Sequence, residues 1–393
     1  MARIGIYGGT FNPPHVGHMQ AALEAAASLR LDKLLLIPGQ TPLHKQLPEG
    51  SADPMQRLEM ARLAAADVPV IAVTDMELLR QGPSYTVDTV LQLKKQYPGD
   101  SLVLLMGTDM FLGFEHWREA QVILQNAALA VLHRGQKGER EKILTMKEQL
   151  AARGASVEIV ENAAIAISST QLRRLLIFRC ADPFLPKGVG AYIRENGLYG
   201  VNGDYKNLPM DKLEKVVVSL LNPNRVAHVL GCRDTAVALA KHWGADETDA
   251  ARAGILHDIT KAIDGPLQLT LCAEYGTMLS DFSRRYPKTL HALTGSLVAE
   301  HLFGEKDAVV QAIRYHTTGK ANMNLLEKII YVADYMEPNR NFPGVDQLRQ
   351  LAFTDLDEAL KLGLTMTMEL LNQQGSEISP ESQEALAWLS EKG

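Results

Sequence analysis

Cysteine is scarce in this 393-residue chain: Cys180, Cys232 and Cys272 are the three present, scattered, odd in number and without CxxC spacing. That excludes a disulfide framework and fits reduced thiols in a cytoplasmic setting. Long apolar runs are missing too. No stretch reaches the ~20 apolar residues of a membrane span, and no signal-peptide segment opens the chain. There is no excess of positive charge: 40 Lys and Arg stand against 46 Asp and Glu, for a net charge of −6. Neither nucleic acid nor a membrane surface is therefore an expected partner. Internal repeats and low-complexity segments are also lacking. What remains, 46% hydrophobic and 22% charged residues, is ordinary for a globular protein, and the length suggests two domains at roughly 100–200 residues each.

The most informative stretch comes first. Arg3-Ile4-Gly5-Ile6-Tyr7 is a short apolar run that stops at Gly8-Gly9; Thr10, Phe11, Asn12, Pro13 and Pro14 follow, then His15 and His18 open an alanine-rich run to Leu29. This reads as strand, tight loop, helix. Glycine lets backbone approach a ligand, a helix N-terminus offers free N–H groups to anions, and residues three apart share a helix face. A nucleotide triphosphate site is the expectation.

Further apolar runs at 33–37, 69–74, 102–106, 127–132 and 157–160 alternate with helical patterns at 18–29, 54–65, 87–96 and 170–178. Such alternation predicts parallel βαβ units with ligands beyond the carboxyl ends of the strands. Gly107-Thr108-Asp109 and His133-Arg134-Gly135 fall at two more such ends. In Ile167-Ser168-Ser169-Thr170-Gln171-Leu172-Arg173 the hydroxyls suit a helix cap, and the same N-terminus can take phosphate with Arg173 as a clamp. Capping alone, with a surface arginine, is the alternative.

Gly8 to His18 resembles the nucleotidyltransferase signature ending in HxGH, and Ile167–Arg173 resembles that superfamily's second signature, ISSTxIR, with Leu172 as a departure. Three further stretches resemble bacterial nicotinate-nucleotide adenylyltransferases: Pro42-Leu43-His44-Lys45 with Gln56-Arg57-Leu58-Glu59-Met60, then Pro83 to Thr89, then Gly107-Thr108-Asp109 with Trp117. The resemblance implies a Rossmann-like α/β domain over residues 1–200. It implies ATP bound by Gly8, Gly9, Thr10, Phe11, His15, His18, Asp109, Ser168, Thr170 and Arg173. His15, His18 and Arg173 would be catalytic, and Mg²⁺ would ride on the phosphates. Lys45, Thr86 and Trp117 would receive nicotinate mononucleotide. Another acceptor, such as phosphopantetheine, is the rival reading.

Residues 201–208 are polar and non-periodic, a short linker. From 209 to 393 strand-like runs stop and apolar residues recur at three and four, predicting an all-α domain with helices at 210–221, 225–243, 247–258, 288–303, 306–315, 323–336, 354–372 and 380–392. Its polar anomalies are few: His228, the adjacent pair His257-Asp258 after an apolar stretch, Asp334 after Ile329–Ala333, and His291 and His316. A carboxylate in an apolar helix face is costly unless paired or metal-bound, and a His/Asp set suits Fe, Mn, Co or Zn.

The pattern resembles the HD superfamily of metal-dependent phosphohydrolases. Leu256–Lys261, Ala312–Gly319 and Leu326–Arg340 resemble its symmetrical diadenosine tetraphosphate hydrolases. This implies His228, His257, Asp258 and Asp334 as ligands of iron or another divalent transition metal. Arg225, Lys261, His291, His316, Thr317 and Arg340 would surround the phosphates, although His291 and His316 could instead hold a second metal. A nucleotide sensor, or a hydrolase of another nucleotide, is the rival for this half. An oligomer is compatible with everything above.

Overall fold

The computed structural model describes residues 1–40, 47–48, 50–133, 138–162 and 167–392. It separates into two compact units, Met1–Gly203 and Asp204–Gly393. A parallel-sheet α/β domain is followed by a helical domain.

In the first unit six strands, β1 (Arg3–Gly9), β2 (Lys33–Pro38), β3 (Ile71–Val73), β4 (Ser101–Gly107), β5 (Ala128–His133) and β6 (Val157–Glu161), form one sheet in the order β3-β2-β1-β4-β5-β6. Every pairing is parallel, with Ile6 opposite Leu35 on one side and Leu104 on the other. The strands read as unbroken apolar runs because helices cover both faces: Leu34 to Ile37, Leu102 to Met106 and Leu129 to Leu132 are all buried. Each such Leu or Ile contributes about 1.5–3 kcal/mol by leaving water. β3 is shorter than the expected 69–74. It is the edge strand, and Pro69 has no N–H to give the ladder.

The helices of this unit are α1 (Val16–Ser28), α2 (Pro54–Ala65), α3 (Thr86–Gln96), α4 (Thr108–Leu112), α5 (Ala120–Asn126), α6 (Glu139–Ala151), α7 (Ser169–Ile177) and α8 (Val189–Glu195). α4 and α5 escape sequence reading because 5 and 7 residues are too few to display a helical period. α6 carries six charged residues among its 13 and buries only Ile143 and Leu150.

The second unit contains α9 (Met210–Leu220), α10 (Val226–Trp243), α11 (Glu247–Leu256), α12 (Gly265–Glu274), α13 (Asp281–Arg285), α14 (Leu290–His301), α15 (Asp307–Arg314), α16 (Leu325–Met336), α17 (Val345–Leu351), α18 (Leu356–Gln373) and α19 (Pro380–Lys392). Gly254 lets α11 lie directly on α10: a Cβ there would meet the Arg233 Cα at 2.7 Å. α12, α13 and α17 are additions to the expected set. α11 stops at Leu256 rather than at Asp258, for a local reason. The His257 ring donates from Nδ1 to the Gly254 carbonyl at 2.7 Å, taking the acceptor that the Asp258 N–H would have used in a continuing helix. Among the described residues no helix is long and apolar enough to cross a membrane.

Candidate active sites

The strand order of the first unit reverses between β1 and β4, the switch point where doubly wound sheets bind ligands beyond the carboxyl ends of the strands. The exposed Gly8 lies at the end of β1, and Asp109 lies exposed in the first turn of α4, just past β4. Gly107 precedes that helix at its cap position.

His15 and His18 are the first side chains beyond the loop. The His18 backbone N–H donates to His15 Nδ1 and the His15 backbone N–H donates to His18 Nδ1, both at 3.3 Å. The two rings stack with centroids 3.6 Å apart at 23°. A backbone N–H only donates, so each Nδ1 must accept, and the proton of each neutral ring sits on Nε2. The reciprocal cap therefore turns both imidazoles into Nε2–H donors. Phe11 packs edge-on against His18 and Tyr7.

The loop is held by its carbonyls. Arg173 on α7 donates to the Asn12 carbonyl at 2.7 Å, and the Ser169 hydroxyl donates to the Pro13 carbonyl at 3.1 Å. Tyr199 donates its hydroxyl to Asn12 Oδ1 at 2.7 Å, and Asn12 Nδ2 donates to Ser51. Burial raises the Tyr199 phenol, which therefore stays a donor. Arg57 on α2 donates to the Thr10 and Gly39 carbonyls at 2.7 Å each and also to the Gln40 carbonyl.

Ser168 proves to be the cap of α7. Its Oγ accepts from the Gln171 N–H at 3.2 Å while Gln171 Oε1 accepts from the Ser168 N–H at 3.0 Å. Of the expected phosphate contacts Thr170 is exposed in the first turn, and its hydroxyl accepts from Arg173 at 3.1 Å. On the acceptor side Thr86 opens α3, whose N-terminus has no side-chain cap, and Trp117 lies half-buried with its ring 5.3 Å from that of Phe114. Lys45 lies outside the described residues.

The second unit gathers its polar residues in one buried cluster. His228 Nε2 lies 3.1 Å from Asp334 Oδ1, 3.3 Å from His257 Nε2 and 3.7 Å from Asp258 Oδ2. His257 Nε2 lies 3.5 Å from Asp258 Oδ2 and 3.8 Å from Asp334 Oδ1. His228, His257 and Asp334 lie close enough together to hold one ion, and so do His257, Asp258 and His316, with His257 common to both groups.

The rings are wired for it. His257, His291 and His316 each donate from Nδ1 to the carbonyl three residues back, at Gly254, Lys288 and Ile313, over 2.7, 2.8 and 2.7 Å. His228 gives Nδ1 to Glu337 Oε1 at 3.1 Å. A carbonyl only accepts, so the His291 and His316 rings carry their proton on Nδ1 and turn a lone pair outward on Nε2, whereas against its burial the neighbouring Cys232 and Asp258 hold the His257 imidazole well above its usual range. Buried Asp258 Oδ1 and His316 Nε2 find no hydrogen-bond partner among the described residues. Burial drives the His291 imidazole down to about 3 and that of His316 to about 4, so both are neutral. The donor set fits a divalent transition metal.

The expected phosphate ligands are brought here with altered partners. Arg225 and Arg340 are bound to the carboxylates of Asp258 and Asp334, with Nε to Asp258 at 2.6 Å and Nη2 to Asp334 at 2.6 Å. Lys261 lies 2.9 Å from His291 Nε2. Thr317 Oγ1 is buried without a hydrogen-bond partner among the described residues. Sequence reading assigned no role to Glu337. It is 1% exposed, it is held by the Asn339 N–H at 2.7 Å, and it sits where a Cβ on Gly231 would intrude, 2.5 Å from its Oε2. Its position three residues after Asp334, still inside a quoted stretch, was the available signal.

Comparison with known proteins follows the same division. Residues 6–175 match the Cytidylyltransferase-like family and residues 225–339 match the HD domain family. A probable nicotinate-nucleotide adenylyltransferase of Pseudomonas fluorescens is 39% identical over 210 residues, which cover 50% of this chain and 97% of the relative. One from Borreliella afzelii is 36% identical over 202 residues, covering 50% of this chain and 96% of the relative. A crystal structure of a predicted HD superfamily hydrolase involved in NAD metabolism, from Clostridium acetobutylicum, shares 37% identity and covers 47% of this chain and 99% of that chain, with a TM-score of 0.46. The chain belongs to the nicotinate-nucleotide adenylyltransferase family and adds to it an HD domain over residues 225–339.

Proposed function

We propose that the chain is a bifunctional enzyme whose first unit transfers AMP from ATP to nicotinate mononucleotide and whose second hydrolyses diadenosine tetraphosphate to two ADP. The observation that carries this reading is the opposite wiring of the histidines: Nε2–H donors beside the switch-point loop, Nε2 lone pairs on His291 and His316 in the buried cluster.

In the first reaction a 5′-phosphate oxygen of nicotinate mononucleotide forms a bond to the α-phosphorus of ATP. The bond from that phosphorus to the α,β-bridging oxygen breaks, and pyrophosphate leaves with the electron pair. The chemistry needs positioning and charge stabilisation rather than a protein nucleophile. His15 and His18 donate from Nε2 to the triphosphate, where charge develops. The N-terminus of α7 with Thr170 and Arg173 receives the outer phosphates, and Mg²⁺ accompanies them as part of the substrate. Gly8, Gly9, Thr10 and Phe11 form the loop against which ATP lies, and Asp109 faces its nucleoside. Thr86, at the uncapped start of α3, and Trp117 receive the nicotinate ring, and Lys45 pairs with its phosphate.

In the second unit His228, His257, Asp258 and Asp334 hold one divalent ion, with iron the leading candidate. Such an ion polarises a phosphoryl oxygen and activates water. His291 holds Lys261 through its Nε2 lone pair rather than ligating a second ion, and Lys261 carries the contact to phosphate. His316, Thr317 and Lys261 face the polyphosphate, and Arg225 and Arg340 neutralise the ligand carboxylates beside it. Water oxygen bonds to an inner phosphorus, the central bridging bond breaks, and ADP leaves.

A product assay on the purified chain tests both halves. Deamido-NAD and pyrophosphate should form from ATP and nicotinate mononucleotide, and ADP alone from diadenosine tetraphosphate with Fe²⁺ or Mn²⁺. Binding of the dinucleotide without ADP under any metal would make the HD domain a sensor. Turnover of phosphopantetheine in place of the mononucleotide would replace the acceptor.

A further inference from the structure

Arg57 is a fully buried guanidinium, 0% exposed, and the reaction described above gives it no role. No carboxylate pairs with it among the described residues; it is spent on three carbonyls from two distant segments. Thr10, 47 positions earlier, belongs to the phosphate loop. Gly39 and Gln40 follow the end of β2 and lead toward the acceptor side. The link continues: Gln40 Nε2 donates to the Leu78 and Arg80 carbonyls at 3.1 and 3.0 Å, in the segment preceding α3 and Thr86. Arg57 is itself fixed, because α2 starts in a reciprocal cap between Asp53 and Gln56 at 2.8 and 2.9 Å.

A buried charge is costly, and an apolar side chain would fill this space with less desolvation. What only arginine offers is a planar fork of donors in fixed directions; a lysine ammonium is a single point. We propose that Arg57 is a positioning residue for adenylyl transfer, setting the spacing between the loop that holds ATP and the segment that holds the acceptor. Arg57 touches neither substrate. Its effect is on the ternary arrangement, where a displacement of about 1 Å costs on the order of a hundredfold in rate. This rests on the adenylyl-transfer reading.

The test is R57K in the full chain. kcat and both KM values are measured for ATP plus nicotinate mononucleotide, and calorimetry gives the binding of each substrate alone. kcat should fall about ten- to a hundredfold, while each single-substrate Kd moves by less than about threefold. Unchanged kcat, or a loss matched by weaker binding of each substrate alone, overturns the proposal. If R57K melts at the assay temperature, Q40A, which removes only the tie to Leu78 and Arg80, takes its place. Q40A should show the same split at smaller size, and wild-type kcat in Q40A overturns the proposal. Absence of product from the wild-type chain would instead remove the adenylyl-transfer reading itself.

Discussion

The two units use histidine in opposite ways. In the first, His15 and His18 receive backbone N–H groups at Nδ1 and are left with Nε2–H donors, suited to an anionic triphosphate. In the second, His291 and His316 give Nδ1–H to carbonyls three residues back and are left with Nε2 lone pairs, suited to a metal or to a donor such as Lys261. The helix decides which. Nδ1 accepts where the ring caps an N-terminus with unpaired N–H groups, and it donates where the ring reaches back to carbonyls. The same residue type is thus assigned to phosphate or to metal by its place relative to a helix end.

Substitutions can break this division, and the largest effect is expected at the metal. Asp258→Ala removes a carboxylate that faces both His228 and His257. Metal content measured by elemental analysis should fall to background together with diadenosine tetraphosphate hydrolysis, while adenylyl transfer stays within twofold of wild type, roughly. His18→Ala is the mirror experiment. It removes one charge-stabilising donor and its stacking partner's cap, and kcat for pyrophosphate release should fall about 10²–10³-fold with hydrolysis unaffected. Glu337→Gln keeps the shape but replaces the carboxylate that orients His228; metal affinity, followed by chelator competition, should weaken about 10–100-fold. The smallest effect is Ser168→Ala, which deletes the α7 cap and should cost about 0.5–2 kcal/mol in thermal unfolding of the first unit. A far larger loss of kcat than of stability in Ser168→Ala would show that its hydroxyl touches phosphate directly.

Much of this was legible in the sequence. The strands were, because a parallel sheet covered on both faces demands unbroken apolar runs, and α2 was bounded correctly by Pro54 and Ala65. Short helices such as α4 and α13 were not, since five residues carry no period. The polar residues that gather in the second unit could be named from the chain, and the structure brings His228 and His257 within 3.8 Å of both Asp258 and Asp334. The wiring could not be read. Which nitrogen bears the proton depends on local backbone geometry, seen in the three-residue return from His257 to Gly254. Arg57 and Tyr199 were equally hidden, because their partners Thr10 and Asn12 lie 47 and 187 positions away. Long-range bonds to carbonyls leave no mark on composition or periodicity.

The central claim is a statement about protons, and ¹⁵N NMR of histidine-labelled, metal-free chain reads it directly at a pH where the rings are neutral. His15 and His18 should show the Nε2–H tautomer, and His291 and His316 the Nδ1–H tautomer, with assignments made by single substitutions. Finding His291 or His316 protonated at Nε2, or His15 and His18 at Nδ1, would contradict the account.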